Sequence, residues 1–137
     1  MYALLISTSD VQLKYFLSIP IFLCLCREAS NGGVGLDIGA YGDGVNVKLI
    51  VKGNNTFNSN YFYGINTFVN FDSNANLEIN VESGATLHSC GNGADINGYV
   101  HEGGKVDFSG TGYTCDQDKV SFGGDGTVVE PVCQACT

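Results

Sequence analysis

The stretch Val81-Glu82-Ser83-Gly84-Ala85-Thr86-Leu87 decides the fold. It runs apolar, two polar residues, a turn residue, a small residue, one spacer, and apolar again. The same seven positions recur as Phe71-Asp72-Ser73-Asn74-Ala75-Asn76-Leu77, Val100-His101-Glu102-Gly103-Gly104-Lys105-Val106 and Phe122-Gly123-Gly124-Asp125-Gly126-Thr127-Val128. A looser copy is Val51-Lys52-Gly53-Asn54-Asn55-Thr56-Phe57, where Asn55 stands in for the small residue. The copies start at 51, 71, 81, 100 and 122, so their steps cluster near ten or twenty residues. Short units of strand, turn and strand at such steps predict a coiled β architecture, in which each unit buries its apolar face only by stacking on the next. The turn position is filled by Asn74, Gly84, Gly103 and Asp125, residue types that tolerate left-handed backbone angles. A small neighbour at the next position lets stacked corners approach closely.

Outward from the repeat, apolar residues alternate with polar ones. Val45, Val47, Leu49 and Val51 enclose Asn46 and Lys48, and Leu77, Ile79 and Val81 enclose Glu78 and Asn80. Tyr61, Tyr63, Ile65, Val69 and Phe71 keep the same odd parity. Alternation of this kind predicts strands with one buried face. Beyond Gly91 the inward set becomes even, with Ile96, Val100, Val106, Phe108, Val120, Phe122 and Val128, which places a parity break at a corner near Cys90-Gly91-Asn92-Gly93. No helical spacing appears past residue 25.

On these residues the chain resembles the parallel β-helix repeats of pectin-lyase-like and adhesin-type surface proteins, over residues 36–130, with Val81–Leu87 the most typical piece. The resemblance implies an all-β fold, a short parallel β-helix or solenoid of about five rungs. An antiparallel β-sandwich or roll is the alternative, since short strands at ten-residue spacing suit it too. The chain divides into residues 1–30, a signal peptide or non-domain segment, residues 31–130, the β-helix domain, and residues 131–137, a Cys-containing tail.

Composition narrows the class. Nineteen Gly, two Pro and no Trp in 137 residues suit a turn-rich β protein. Apolar residues make up 44% of the chain, enough greasy surface to offset chain entropy and argue against disorder. The formal charge is −8, and past residue 30 the basic residues are Lys48, Lys52, Lys105 and Lys119, with no Arg. Nucleic-acid binding needs clustered cations, so no nucleic-acid partner is expected.

Lys14 precedes the mostly apolar run Tyr15–Cys26, the layout of a secretory signal with cleavage after Cys26. The run is short and broken by Pro20, so no membrane span is expected in the mature chain. A buried first strand or an end plug is the other reading of this segment. Cys90, Cys115, Cys133 and Cys136 then read as two disulfides in a secreted or cell-surface protein. The preferred pairing is Cys90 with Cys115 and Cys133 with Cys136. A redox CxxC lacks its βαβ setting, and a zinc site using Cys115 or a His is the remaining alternative.

Catalytic residues are sparse. Lyases with this kind of fold use Arg or Lys at a substrate carboxylate, and the hydrolases use clustered Asp with a nearby His. Glycosidases in general need paired carboxylates. Asp116 and Asp118 form the nearest pair, with Glu102 as a further candidate, and a solvated turn accounts for Asp116 and Asp118. His88 and His101 sit at outward or corner positions. Gly123–Thr127 is similar to the calcium turns of β-rolls, yet its Asp is displaced and the motif is not in tandem, so neither metal nor cofactor is expected. Asn54-Asn55-Thr56 is a glycosylation sequon on a predicted turn. In the aromatic cluster, parity turns Tyr61, Tyr63 and Phe71 inward and leaves Phe62 and Phe68 as a candidate contact patch.

The expectation is a non-enzymatic exported surface or cell-wall module for adhesion, structure or glycan contact, with a glycan or wall polymer as partner. The alternatives are a degenerate or truncated polysaccharide-active enzyme and an ice-binding protein. The last would need a flat row of Thr, and Thr56, Thr86 and Thr127 share one repeat position.

Overall fold

The structure, a computed structural model, describes residues 34–136 apart from 43, 60–61, 70–73 and 91–92, together with the backbone of four N-terminal strands. Those four are β1 (Tyr2–Ser7), β2 (Val11–Leu17), β3 (Leu23–Leu25) and β4 (Glu28–Ala29). Then the chain runs through β5 (Leu36–Ala40), β6 (Asn46–Val51), β7 (Asn54–Thr56) and the short β8 (Asn58–Ser59). It continues through β9 (Ile65–Val69), β10 (Asn76–Val81) and β11 (Thr86–His88), then β12 (Ile96–Val100), β13 (Lys105–Gly110) and β14 (Tyr113–Thr114). A 3₁₀ turn at Gln117–Lys119 leads to β15 (Val120–Gly123), β16 (Thr127–Val129) and β17 (Cys133–Gln134).

Apart from β8, which pairs with β4, the strands from β5 onward fall into three sheets that the chain visits in a fixed cyclic order. Sheet I holds β5, β9, β12 and β15, sheet II holds β6, β10, β13 and β16, and sheet III holds β7, β11, β14 and β17. Every pairing between successive circuits is parallel. The fold is therefore all-β with parallel strands in three stacked sheets, and the antiparallel arrangement is confined to the N-terminal strands. There β1 pairs with β2, β2 runs antiparallel along the edge of β6, and β3 does the same along β5.

The circuit is longer than the sequence step suggested. Register places Asn46, Asn76, Lys105 and Thr127 in one row, at intervals of 30, 29 and 22 residues. Among the described residues there are four circuits, against the five or so rungs expected. The ten-residue step is one side of a circuit, because the seven-residue pattern marks corners and there are two kinds of corner. Residues 51–57 and 81–87 carry the chain from sheet II to sheet III, whereas 100–106 and 122–128 carry it from sheet I to sheet II.

The corner chemistry follows the residue types. Gly84 and Gly103 take positive φ of 81° and 82° at the turn position, while in the copies starting at 51 and 122 Gly53 and Gly124 take it one residue earlier. Ala75, Ala85 and Gly104 are buried at the next position. Ala85 N donates to Glu82 O and Gly104 N to His101 O, each at 2.9 Å. Where Asn55 replaces the small residue, its Nδ2 donates to Lys52 O at 2.9 Å, so the amide closes its own turn. Corners are also stitched to one another, as Lys105 N donates to Ala75 O and Thr127 N to Gly104 O, both at 3.0 Å.

Inside, side chains stack in rows. Leu49, Ile79 and Phe108 form one row on sheet II, and Leu36, Ile65, Ile96 and Val120 form one on sheet I. Of the alternating inward residues read from the sequence, Val45, Val47, Leu49, Val51, Ile65, Val69, Leu77, Ile79, Val81, Ile96, Val100, Val106 and Phe108 are buried, while Val120, Phe122 and Val128 of the last circuit are only partly covered. The parity break falls at Asp95-Ile96, where two successive residues are buried, and Gly91 and Asn92 lie outside the described residues. It is one instance of a repeated corner, since Gly35-Leu36 and Gly64-Ile65 are buried in the same way. Tyr113 enters the core from sheet III with its hydroxyl 2.9 Å from Ile79 O and 2.7 Å from Ser109 O. Burial, then the charges of Asp107 and Glu78, push its phenol well above the ordinary tyrosine range.

Candidate functional site

On the outer face of sheet I, successive circuits place two rows side by side. The first row is Asp37, Asn66, Asn97 and Ser121 in register. Asn66 Nδ2 donates to Asp37 Oδ1 at 3.0 Å, and Asn97 Nδ2 donates to Asn66 Oδ1 at 2.9 Å. A carboxamide offers two N–H donors and two lone pairs, so each link leaves an N–H on Asn66 and on Asn97 beyond the one it uses.

Two residues along each strand lies the second row, Gly39, Phe68, Tyr99 and Gly123. Tyr41, just past β5, folds back over Gly39, where a Cβ would run into its ring. At the other end a Cβ on Gly123 would stand 3.1 Å from Tyr99 Cδ2. The glycines thus leave room for rings to lie over the sheet. Tyr41 and Phe68 have centroids 5.3 Å apart and planes 25° apart, and Phe68 and Tyr99 are at 6.4 Å and 20°. His101 meets Tyr99 edge-on at 4.6 Å and Phe68 at 5.5 Å. Tyr99 is 45% exposed, a large fraction for an aromatic side chain packed on both sides. Burial and the nearby Asp37 charge raise the Tyr41 phenol.

The sequence patch is redrawn by this geometry. Phe62 is 48% exposed and Phe68 faces outward as parity required, but Phe62 contacts Tyr63 while Phe68 joins Tyr41, Tyr99 and His101. Tyr63 is only half buried, and Tyr61 and Phe71 lie outside the described residues. Tyr41 and Tyr99 were not singled out in the sequence. The signal for them is the interval of 29 and 31 residues joining Asp37, Asn66 and Asn97, which is the circuit length.

Sheet II carries charge instead. Glu78 and Asp107 are register partners on neighbouring strands. Each has a lysine, with Lys48 Nζ 3.4 Å from Glu78 and Lys105 Nζ 3.4 Å from Asp107. Ser109 Oγ donates to Glu78 Oε1 at 3.2 Å. Asn76, Leu77, Glu78, Lys105 and Asp107 line a shallow open depression. The sequence candidates lie elsewhere. Glu102 is exposed on the β12–β13 turn, and Asp116 and Asp118 are exposed at the 3₁₀ turn rather than on a strand.

Sheet III presents Thr56, His88, Thr114 and Gln134 in one outward row. Thr86 belongs to another row, where its Oγ1 donates to Asn54 Oδ1 at 2.9 Å, and Thr127 is on sheet II. The three threonines therefore do not align, because the looser copy is offset by two residues. Asn54 is exposed and sits in strand β7 rather than on a turn.

The cysteines pair as Cys90–Cys136 and Cys115–Cys133, with Cα separations of 6.1 and 5.2 Å, not as the spacing favoured. Cys133 is extended in β17, stacked over the strand that leads to the buried Cys115, so the CxxC does not close on itself. Asp95, 1% exposed, accepts from Asp116 N at 2.6 Å and lies 3.8 Å from Cys136 Sγ. Cys90, Asp95 and Cys136 bring three ligand-type atoms within 4.8 Å, but the two sulfurs are bonded to each other and are not thiolate ligands in this state. Among the described residues, no helix is long and apolar enough to cross a membrane. No family model, curated protein or solved structure matches the chain.

Proposed function

We propose that this chain is a parallel β-helix exported to the cell surface or wall, where it serves adhesion, structure or glycan contact without catalysis. The cyclic passage through three parallel sheets supports the β-helix. Two disulfides support an oxidising destination, and the exposed Asn54 offers an attachment point for a glycan there. The observation that carries the contact role is the outward aromatic row Tyr41, Phe68 and Tyr99. Tyr99 is exposed and Tyr41 and Phe68 are half-buried, and a row of rings left partly in water across strands marks a contact surface.

A glycan array combined with a whole-cell adhesion assay tests the role. Binding in either supports it, and degradation of a polysaccharide with binding in neither refutes it. N-terminal sequencing of the secreted protein tests cleavage after Cys26. A polysaccharide-active enzyme is the second reading, favoured by the registered Glu78–Asp107 pair rather than by Asp116, Asp118 or Glu102. Glu78 already pairs with Lys48 and Asp107 with Lys105, an arrangement that suits a surface ion network better than a general acid. Glu78→Gln and Asp107→Asn variants with unchanged turnover of any detected substrate would remove that reading.

A further inference from the structure

The geometry points to sheet I as a binding strip for a neutral, flat, linear polysaccharide lying across the strands, one sugar per circuit. This rests on the surface-module reading and names its ligand. Four features specify the chemistry.

The strip has a repeat. Strands in a sheet lie roughly 4.8 Å apart, and the ring centroids follow at 5.3 and 6.4 Å. That spacing is close to the length of one hexose in an extended chain, so three rings offer three consecutive places. The strip also keeps one orientation, since neighbouring stacked rings turn by only 25° and 20°, which suits a ribbon-like chain and not a wound one.

Sugars present a C–H face and a hydroxyl edge at once. The aromatic row meets the first through the ring surface that stacking leaves uncovered, greatest on Tyr99 at 45% exposure, because ring faces carry partial negative charge and attract polarised C–H bonds. The amide row beside it meets the second. Asn66 and Asn97 keep an N–H each for a hydroxyl oxygen, and Asp37 can accept from a hydroxyl. Finally, the strip holds no Lys or Arg. Asp37 is its formal charge and the chain carries −8, so a polyuronate or sulfated polymer would be repelled.

The test is affinity electrophoresis and titration calorimetry with a chain-length series of neutral β-linked glucan and mannan oligosaccharides, and with polygalacturonate as the anionic control. The full disulfide-bonded chain is used. Affinity is expected to climb from two to three sugar units and then level off. Tyr99→Ala, at an exposed position that leaves the core intact, is expected to weaken binding on the order of tenfold. Phe68→Leu keeps apolar bulk but loses the ring face and is expected to do the same, and Asn66→Ala is expected to weaken it several-fold. Circular dichroism and unfolding midpoints check that each variant is folded. Tighter binding to polygalacturonate, affinity indifferent to chain length, or full affinity in a folded Tyr99→Ala protein would overturn the strip while leaving a surface role standing. Adhesion or array binding to a non-carbohydrate target would do likewise, and no binding to any target would sink both.

Discussion

Replacing Cys90 and Cys136 together by Ala isolates what the tail bridge contributes. Both residues are only half buried, so little packing is lost with the sulfurs. The bridge spans 46 residues, and closing a loop of that length removes chain entropy worth about 4 kcal/mol from the unfolded state. The inner bridge spans 18 residues and lies within the outer loop. With the inner bridge intact, the path from 90 to 136 shortens to about 30 residues and the outer bridge is worth about 3.6 kcal/mol. The pair is therefore coupled by a few tenths of a kcal/mol. Urea unfolding at equilibrium measures it, with the non-reduced peptide map of the parent showing 90 linked to 136. The expected result is a loss of 3 to 4 kcal/mol in the double variant, roughly a third of the stability of a typical small domain. A loss under about 1 kcal/mol, or a map linking 133 to 136, would refute the reasoning.

Other outcomes follow from the core and the corners. Ile79→Ala, in the middle row of sheet II, is expected to cost about 2–5 kcal/mol, whereas Val128→Ala, on the partly covered last circuit, is expected to cost less than half as much in the same urea assay. Gly84→Ala meets open space and pays only for its positive φ, roughly 1–2 kcal/mol. Gly110→Ala meets the Val81 carbonyl as well and is expected to unfold the protein or shift its melting point far more. Tyr113 titrates above its unfolded value of about 10, so the folded state holds its proton after the unfolded chain has lost it. Stability is expected to be flat below that pH and to fall as pH rises above it, and Tyr113→Phe is expected to reduce this slope to the part that Tyr41 contributes while lowering the neutral-pH midpoint.

Much of the interior was legible because alternation is a local property. Val47, Leu77 and Val106 point inward for the same reason that Lys48, Glu78 and Asp107 point outward, and the strand needs no distant partner to decide it. The corner glycines were legible for the same reason. What escaped depends on the length of the circuit. The repeat marks two kinds of corner with one pattern, so Phe122–Val128 and Val81–Leu87 look like the same step although they join different sheets. Once the interval near 30 is missed, so are Asn66 over Asp37, Tyr99 beside Phe68 and the bridge from Cys115 to Cys133. Each of these is a meeting between circuits, set by stacking and not by neighbours in the chain.

The intervals of 30, 29 and then 22 residues along sheet II have a consequence for editing the molecule. The middle storeys are nearly equal in girth, so a duplicated 65–95 segment set between the second and third turns would find floors and ceilings of matching outline. The final turn is smaller and pinned by the bridges, so a copy grafted there would overhang. The chain is modular in its waist and narrowed where the bridges lie.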